Sequence, residues 1–266
     1  MILNGKNLKK LPFTDSRGKS GASGTLYIAE DPQGRKYLVK SKPVDVANEY
    51  VAHNLAKLIG VPTSDAVLIK DGNSVHIGIE YESDFQRVSG DDFLGTEVYE
   101  KSDVPFYVNG NIHKPSIITE AKYPDDDPLL GEFMAYLAFR NLIVLEDNFQ
   151  LAFAGGRLIS FDYAESFFME EGAFNGLLNG RGLSNAVERF SIHLFLKNGY
   201  RNALEVLHRP DTDFLCDAFI APLYAFQEAD LQPIYNDLDE VFPSMVSTFY
   251  ANCFEIARKE IEKLWK

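Results

Sequence analysis

Two groups of polar residues stand out by type and spacing. In the first, Lys40 closes an alternating run, Lys36–Lys40, and Glu49 follows within a segment that carries an apolar face. A lysine at a strand end is a point charge suited to phosphate oxygens, and a glutamate on the next helix can hold its ammonium in place. Upstream lie Ser20, Gly21, Ala22, Ser23 and Gly24. Residues this small let the backbone approach an anion with its N–H groups turned toward it. The second group is Glu146-Asp147-Asn148-Phe149-Gln150, directly after a long apolar run, with Asp162 at the end of a later strand-like stretch. Acids beside buried element ends are costly unless paired or coordinating a cation. Asp147 is placed to accept the proton of an attacking hydroxyl. Asn148 or Gln150, with Asp162, offers the oxygen ligands that Mg²⁺ prefers. Plainer readings stand beside these: a solvated lysine, a surface glutamate, a flexible turn, a capping aspartate and a salt bridge.

Elements must hold those residues in place. Thr25–Ile28 and Lys36–Lys40 alternate as strands around Asp31-Pro32-Gln33-Gly34. Val51, Leu55, Leu58 and Ile59 recur at helical spacing from Pro43, and Gly60 with Pro62 ends that helix. Val67–Ile69 and Val75–Tyr81 read as strands, and Ser116–Tyr123 as another. Between them Glu82–His113 is polar and reads as an insertion or long loop. Pro128 follows three aspartates in the manner of a helix start. Leu129–Leu145 is apolar on nearly all sides, as a buried helix is. Asn148–Phe153 and Arg157–Phe161 form a hairpin around Ala154-Gly155-Gly156. Helices are expected near Ala186–Lys197, Arg201–His208, Phe214–Ala225, Ala229–Leu238 and Ser244–Trp265. Segregated strands and helices predict an α+β fold of two lobes. Residues 1–123 would form a strand-rich N-lobe with an insertion near 82–113, and residues 124–266 a helical C-lobe.

The chain has 266 residues, with 26 Lys and Arg against 39 Asp and Glu, a formal charge of −13. Such an excess argues against broad nucleic-acid binding, which needs a basic face. No apolar run is long enough to span a bilayer, and the first residues lack a signal peptide's apolar region. The cytoplasm is the expected compartment, and an effector secreted by a non-Sec route would read the same. Cys216 and Cys253 are expected to be buried, reduced core thiols. The five histidines show no metal-site spacing, and Trp265 with its aromatic neighbours reads as core.

The order of small-residue loop, strand lysine, helix glutamate, buried helix, Asp–amide loop and strand-end aspartate is that of a protein-kinase-like fold. Asn48-Glu49-Tyr50-Val51-Ala52-His53-Asn54-Leu55-Ala56-Lys57-Leu58-Ile59-Gly60-Val61-Pro62 resembles the equivalent helix of the HipA-like serine/threonine kinases. The likeness covers about Ser20–Ile69 well and Leu129–Phe167 more loosely. Phe161-Asp162-Tyr163-Ala164-Glu165-Ser166-Phe167 resembles the family's metal-binding segment, with Ala164 in place of a glycine. Two registers fit the catalytic loop. One puts Asn141 and Asn148 on the family's asparagines and Ile143 where its acid belongs, as in a pseudokinase. The other, preferred here, puts Phe139, Asp147, Gln150 and Phe153 on the loop of a shorter family variant.

The resemblance implies a kinase that binds ATP and Mg²⁺ between its lobes and phosphorylates a protein Ser/Thr hydroxyl, its own included. Lys40 would hold the phosphates with Glu49 orienting it, and Ser20–Gly24 would cover them. Glu120–Tyr123, including Lys122, would form the hinge that receives adenine. Asp147 would be the base, and Asn148, Gln150 and Asp162 the metal side. An antitoxin or regulatory protein would be the expected partner beside the protein substrate. Two alternatives remain: a pseudokinase acting as a binding module, and a small-molecule phosphotransferase whose acidic surface draws cationic substrates.

Overall fold

The computed structural model describes residues 1–12, 26–81, 84–94, 97–99, 106–108, 111–113, 116–118, 122–146 and 150–264. Its first element is a six-stranded sheet. Strands β1 (Ile2–Asn4), β2 (Lys9–Pro12), β3 (Tyr27–Glu30), β4 (Lys36–Lys40), β5 (Ala66–Asp71) and β6 (Ser74–Glu80) lie in the order β1-β5-β6-β4-β3-β2. Only the β1–β5 pair is parallel, Ile2 facing Leu68. The β3–β4 turn is fixed by Asp31, whose Oδ1 accepts from the N–H of Gln33 at 3.0 Å and of Arg35 at 2.9 Å. Gly34 supplies the left-handed step there, at φ +81°. Lys40 thus ends a central strand, flanked by β3 and β6.

Helix α1 (Pro43–Leu58) starts on proline and ends before Gly60, at φ +79°. Its buried face, which includes Val51, Leu55 and Ala56, packs on β5 and β6. Strand β7 (Gln86–Val88) follows, then β8 (Glu97–Tyr99), β9 (Phe106–Val108), β10 (Asn111–His113) and β11 (Ser116–Ile118). β9 pairs with β10 and β8 with β11. Helix α2 (Pro128–Leu142) begins where Asp127 Oδ1 accepts from the N–H of Leu129 at 2.8 Å. The hairpin β12 (Leu151–Ala154) and β13 (Arg157–Ser160) takes β7 as a third strand. Six helices complete the chain: α3 (Glu171–Leu178), α4 (Leu183–His193), α5 (Gly199–Leu207), α6 (Asp213–Glu228), α7 (Gln232–Asp239) and α8 (Ser244–Leu264). One hydrophobic core joins α1 to α2 and to the later helices, with Tyr50, Phe139, Phe167, Phe226 and Phe254 inside it. The fold is α+β and kinase-like, a strand-rich N-terminal part followed by helices.

The sequence reading departs from this in identifiable places. β1 has only three residues, and β2 is half lysine, so neither announces itself. α3 carries two glycines in eight residues, which hides its helical character. The segment 82–113 is not wholly loop, because β7 joins the hairpin. The strand expected over Ser116–Tyr123 is described as strand only to Ile118; Lys122 and Tyr123 lie in a bend, Tyr123 stacked on Phe93. The buried helix stops at Leu142 rather than Leu145, since Val144 turns left-handed at φ +50°. Cys253 is buried, but Cys216 is only half-buried. Trp265 lies outside the described residues.

Candidate active site

Strand β4 and helix α1 bring Lys40 and Glu49 together, and the end of β13 brings Asp162. Lys40 Nζ contacts Glu49 Oε1, and its second partner is Asp162 Oδ1 at 2.6 Å. Glu49 is fully buried, whereas the Asp162 side chain keeps 37% of its exposure and forms the open edge of the cluster. Glu49 Oε2 also accepts from the backbone N–H of Tyr163 at 3.0 Å. His53 Nε2 lies 3.2 Å from the same oxygen, without hydrogen-bond geometry. His53 Nδ1 sits 3.1 Å from the Ser64 carbonyl and 2.7 Å from Thr63 Oγ1. Thr63 in turn donates to the Ser160 carbonyl at 3.0 Å, and the Ser160 N–H donates to the Pro62 carbonyl at 3.1 Å. The loop after α1 is thereby fastened to the strand that leads into Asp162.

These contacts decide the charge states. Burial opposes the charge on Lys40, but the Glu49 and Asp162 carboxylates outweigh it and hold its pKa above the ordinary 10.5. Burial likewise opposes ionisation of Glu49, and Lys40, followed by His53, holds its carboxyl well below 4.5. Asp162 goes the other way: burial raises it above 3.8 despite the pull of Lys40, and the neighbouring Glu49 charge adds to the rise. One ammonium serves two carboxylates, and Glu49 holds the stronger claim. Asp162 is held at φ +61°, a left-handed backbone that non-glycine residues adopt rarely. In that conformation its carboxylate meets Lys40.

The other expected site residues fall as follows. Ser20, Gly21, Ala22, Ser23, Gly24 and Glu120, with Asp147 and Asn148, lie outside the described residues. The chain on either side of 147–149 is fixed: the Glu146 N–H donates to the Glu165 carbonyl at 3.2 Å, and the Phe161 N–H to the Gln150 carbonyl at 3.1 Å. Gln150 is not brought to the Lys40 cluster. Its Oε1 accepts from Arg87 Nη2 at 2.5 Å, and Arg87 lies over the Phe161 ring. Opposed residues of an antiparallel pair share a face, so Gln150 stands with Phe161, from whose N–H its carbonyl accepts. Lys122 is exposed, 3.4 Å from Asp92. Ile143 is fully buried, and its carbonyl accepts from the Phe167 N–H at 2.6 Å.

Sequence reasoning missed His53, Asn48 and Arg87. His53 stands four residues after Glu49, a spacing that puts both on one helix face, and this was the available signal. Arg87 gave none, because its neighbourhood depends on β7 joining the hairpin.

No metal-binding group of three acidic, histidine or cysteine side chains occurs among the described residues. Mg²⁺ needs fewer protein ligands when substrate phosphates supply the rest, and one or two carboxylates suffice. A partly open Asp162 beside a charged Lys40 fits that demand. Among the described residues no helix is long and apolar enough to cross a membrane.

A two-lobed, kinase-like fold with a buried Lys–Glu pair and a partly exposed aspartate beside it is the class these features define. The fold is similar to that of CtkA, a proinflammatory kinase of Helicobacter pylori, with a TM-score of 0.56 and 15% identity over 99% of each chain. HipA of Shewanella oneidensis MR-1, solved in a toxin–antitoxin complex with HipB and operator DNA, matches 97% of this chain and 65% of its own, at 12% identity and a TM-score of 0.42. No protein-family model matches the chain, and no curated protein matches it in sequence.

Proposed function

We propose that the protein is an ATP- and Mg²⁺-dependent kinase of the HipA-like kind that transfers the γ-phosphate to a Ser/Thr hydroxyl of a protein. One observation carries the reading: a buried lysine held between a helix glutamate and an open-edged aspartate, on a kinase-like fold. Residues 1–123 form the nucleotide-binding lobe in this reading and residues 124–266 the helical lobe. Lys40 neutralises phosphate charge, and Glu49 keeps its ammonium aimed. Ser20–Gly24 cover the phosphates, and the hinge at Glu120–Tyr123 meets adenine. Asp162, aided by Asn148, would hold Mg²⁺, whose charge supports the phosphates. Asp147 orients the acceptor hydroxyl and takes its proton. Phosphoryl transfer asks for position and charge neutralisation more than covalent help, so this short set suffices. Gln150, whose amide oxygen accepts from Arg87, is the alternative to Asn148 on the metal side. The acceptor is the protein itself or a partner, with an antitoxin-like regulator as companion.

A pseudokinase is the second reading, and the buried Ile143 favours it: on one register this residue stands where relatives carry the acid. Incubation with labelled ATP and Mg²⁺, alone, with a test protein and with an aminoglycoside, separates the readings. Label on Ser or Thr, lost in Lys40→Met, supports the protein kinase. Label on the aminoglycoside only, or transfer by Lys40→Met at the wild-type rate, sinks the assignment. Nucleotide binding without transfer selects the pseudokinase.

A further inference from the structure

Helix α1 carries Glu49, so its seating decides where Lys40 points. Asn48, one residue earlier, is fully buried. Its Nδ2 donates to the carbonyls of Ala164 at 2.7 Å and Ser166 at 3.1 Å. Its Oδ1 accepts from the Tyr250 hydroxyl at 2.7 Å. Two carbonyls can only accept, so the amide nitrogen must face them and its oxygen must face Tyr250. Glu49, next along, takes the N–H of Tyr163. Two consecutive residues of α1 thus hold three backbone groups of the segment just after Asp162.

That segment does not hold its shape by local preference. Phe167 and Phe168 lie at φ +61° and +50°, a pair of left-handed aromatics that persists only where surrounding contacts over-determine it. Tyr250 sits on α8, edge-on to Phe167 with ring centroids 5.0 Å apart. Its phenol is buried and held well above 10.0, so it remains a donor. The C-terminal helices also grip α1 one residue on, where the Tyr50 hydroxyl donates to Asp237 of α7.

We propose that Tyr250 and Asn48 are positioning residues: α8, through the Tyr250 hydroxyl, orients the Asn48 amide, and Asn48 with Glu49 sets the Asp162 segment against Lys40. As a role in phosphoryl transfer this rests on the reading of Lys40 and Asp162 given above; as a clamp it is testable without nucleotide. Removing the hydroxyl leaves a buried amide oxygen without a donor. The two carbonyls still demand the amide nitrogen, so the oxygen stays unsatisfied, and Asn48 and the segment it holds are less firmly seated.

The test compares wild type, Tyr250→Phe and, as a control, Tyr200→Phe, whose hydroxyl serves Asp211 at 2.7 Å and no residue of the site. Two readouts need no ligand: hydrogen exchange at residues 163–167, and acylation of the Lys40 amine by an amine-reactive ester, located by mass spectrometry. An orphaned buried acceptor predicts that both rates rise about tenfold in Tyr250→Phe, with the α8 amides and the control unchanged. Wild-type rates in Tyr250→Phe overturn the clamp. So does exchange that quickens equally along α8, which would show a packing role alone. The apparent Mg²⁺ affinity measured with ATP on the same samples should weaken about tenfold in Tyr250→Phe, while the control matches wild type. A wild type that takes up no ATP with Mg²⁺ defeats the nucleotide reading, and the exchange comparison still decides the clamp.

Discussion

Replacing Glu49 by Gln removes the fully buried charge from a cluster open only at Asp162. The variant keeps the side chain's size but leaves the Lys40 ammonium buried with Asp162 as its remaining counter-charge. It also presents an amide to Lys40 and the Tyr163 N–H, both of which call for an acceptor. Breaking a buried pair by removing one partner costs about 3–5 kcal/mol. In a chain of this length each kcal/mol lowers Tm by about 2–4 °C, so Glu49→Gln should melt about 6–20 °C lower at pH 7. The pH dependence has a definite sign. Glu49 has a folded-state pKa below its ordinary 4.5, so its contribution is fully present above that value and is lost as pH falls through the folded value. Lys40 has a folded-state pKa above 10.5, so its contribution is present below 10.5 and lost as pH rises through the folded value. Asp162, raised above 3.8, acts in the opposite sense to Glu49, but both proteins carry it. The gap between wild type and variant should therefore stay level from about pH 5 to 10 and narrow below about pH 4.5. Thermal unfolding followed by circular dichroism across that range reads it directly. A Glu49→Gln protein within about 1 kcal/mol of wild type at pH 7 would refute the buried-pair reasoning, as would a gap that widens on acidification.

Three further substitutions test the frame around the cluster. His53→Phe removes the contact to Glu49 and strands the Ser64 carbonyl, and should cost about 1–3 kcal/mol in urea unfolding; a neutral result would mean His53 merely fills space. Gly78→Ala places a Cβ 2.8 Å from Ile69 Cδ1 and 3.2 Å from Tyr37 Cβ inside the sheet. It should destabilise by about 1–3 kcal/mol, and an unchanged Tm would show that those side chains give way. Asp127→Ala removes the cap of α2 and should lower stability by about 0.5–2 kcal/mol, with Asp127→Asn close to wild type in the same denaturation assay.

The pair Lys40 and Glu49 was legible in the sequence because each sits on an element with its own local signature. A strand run ends at Lys40, and a proline-to-glycine helix carries Glu49. Asp162 was legible for the same reason, at the end of a glycine-turned hairpin. What sequence could not supply were the contacts made across long separations. The Arg87 contact to Gln150 exists only because β7 joins the hairpin. Asn48 was visible only as part of a resemblance, and its partner Tyr250 lies on the last helix. His53 shows no metal-site spacing, and its four-residue step from Glu49 gains meaning only once Glu49 is buried. Left-handed backbone at Val144, Asp162 and Phe167 gave no warning either, since none is a glycine.

The central claim is a nucleotide–metal site built on Lys40, Glu49 and Asp162. The most direct measurement is Tm with and without excess ATP and Mg²⁺, for wild type and Asp162→Asn. Ligand at about a hundred times its Kd adds about 2.7 kcal/mol, or about 5–10 °C for a chain this long. A shift of that size in wild type, dependent on Mg²⁺ and absent in Asp162→Asn, is the expected result. No shift in wild type at any ATP concentration, or an equal shift in Asp162→Asn, would contradict it.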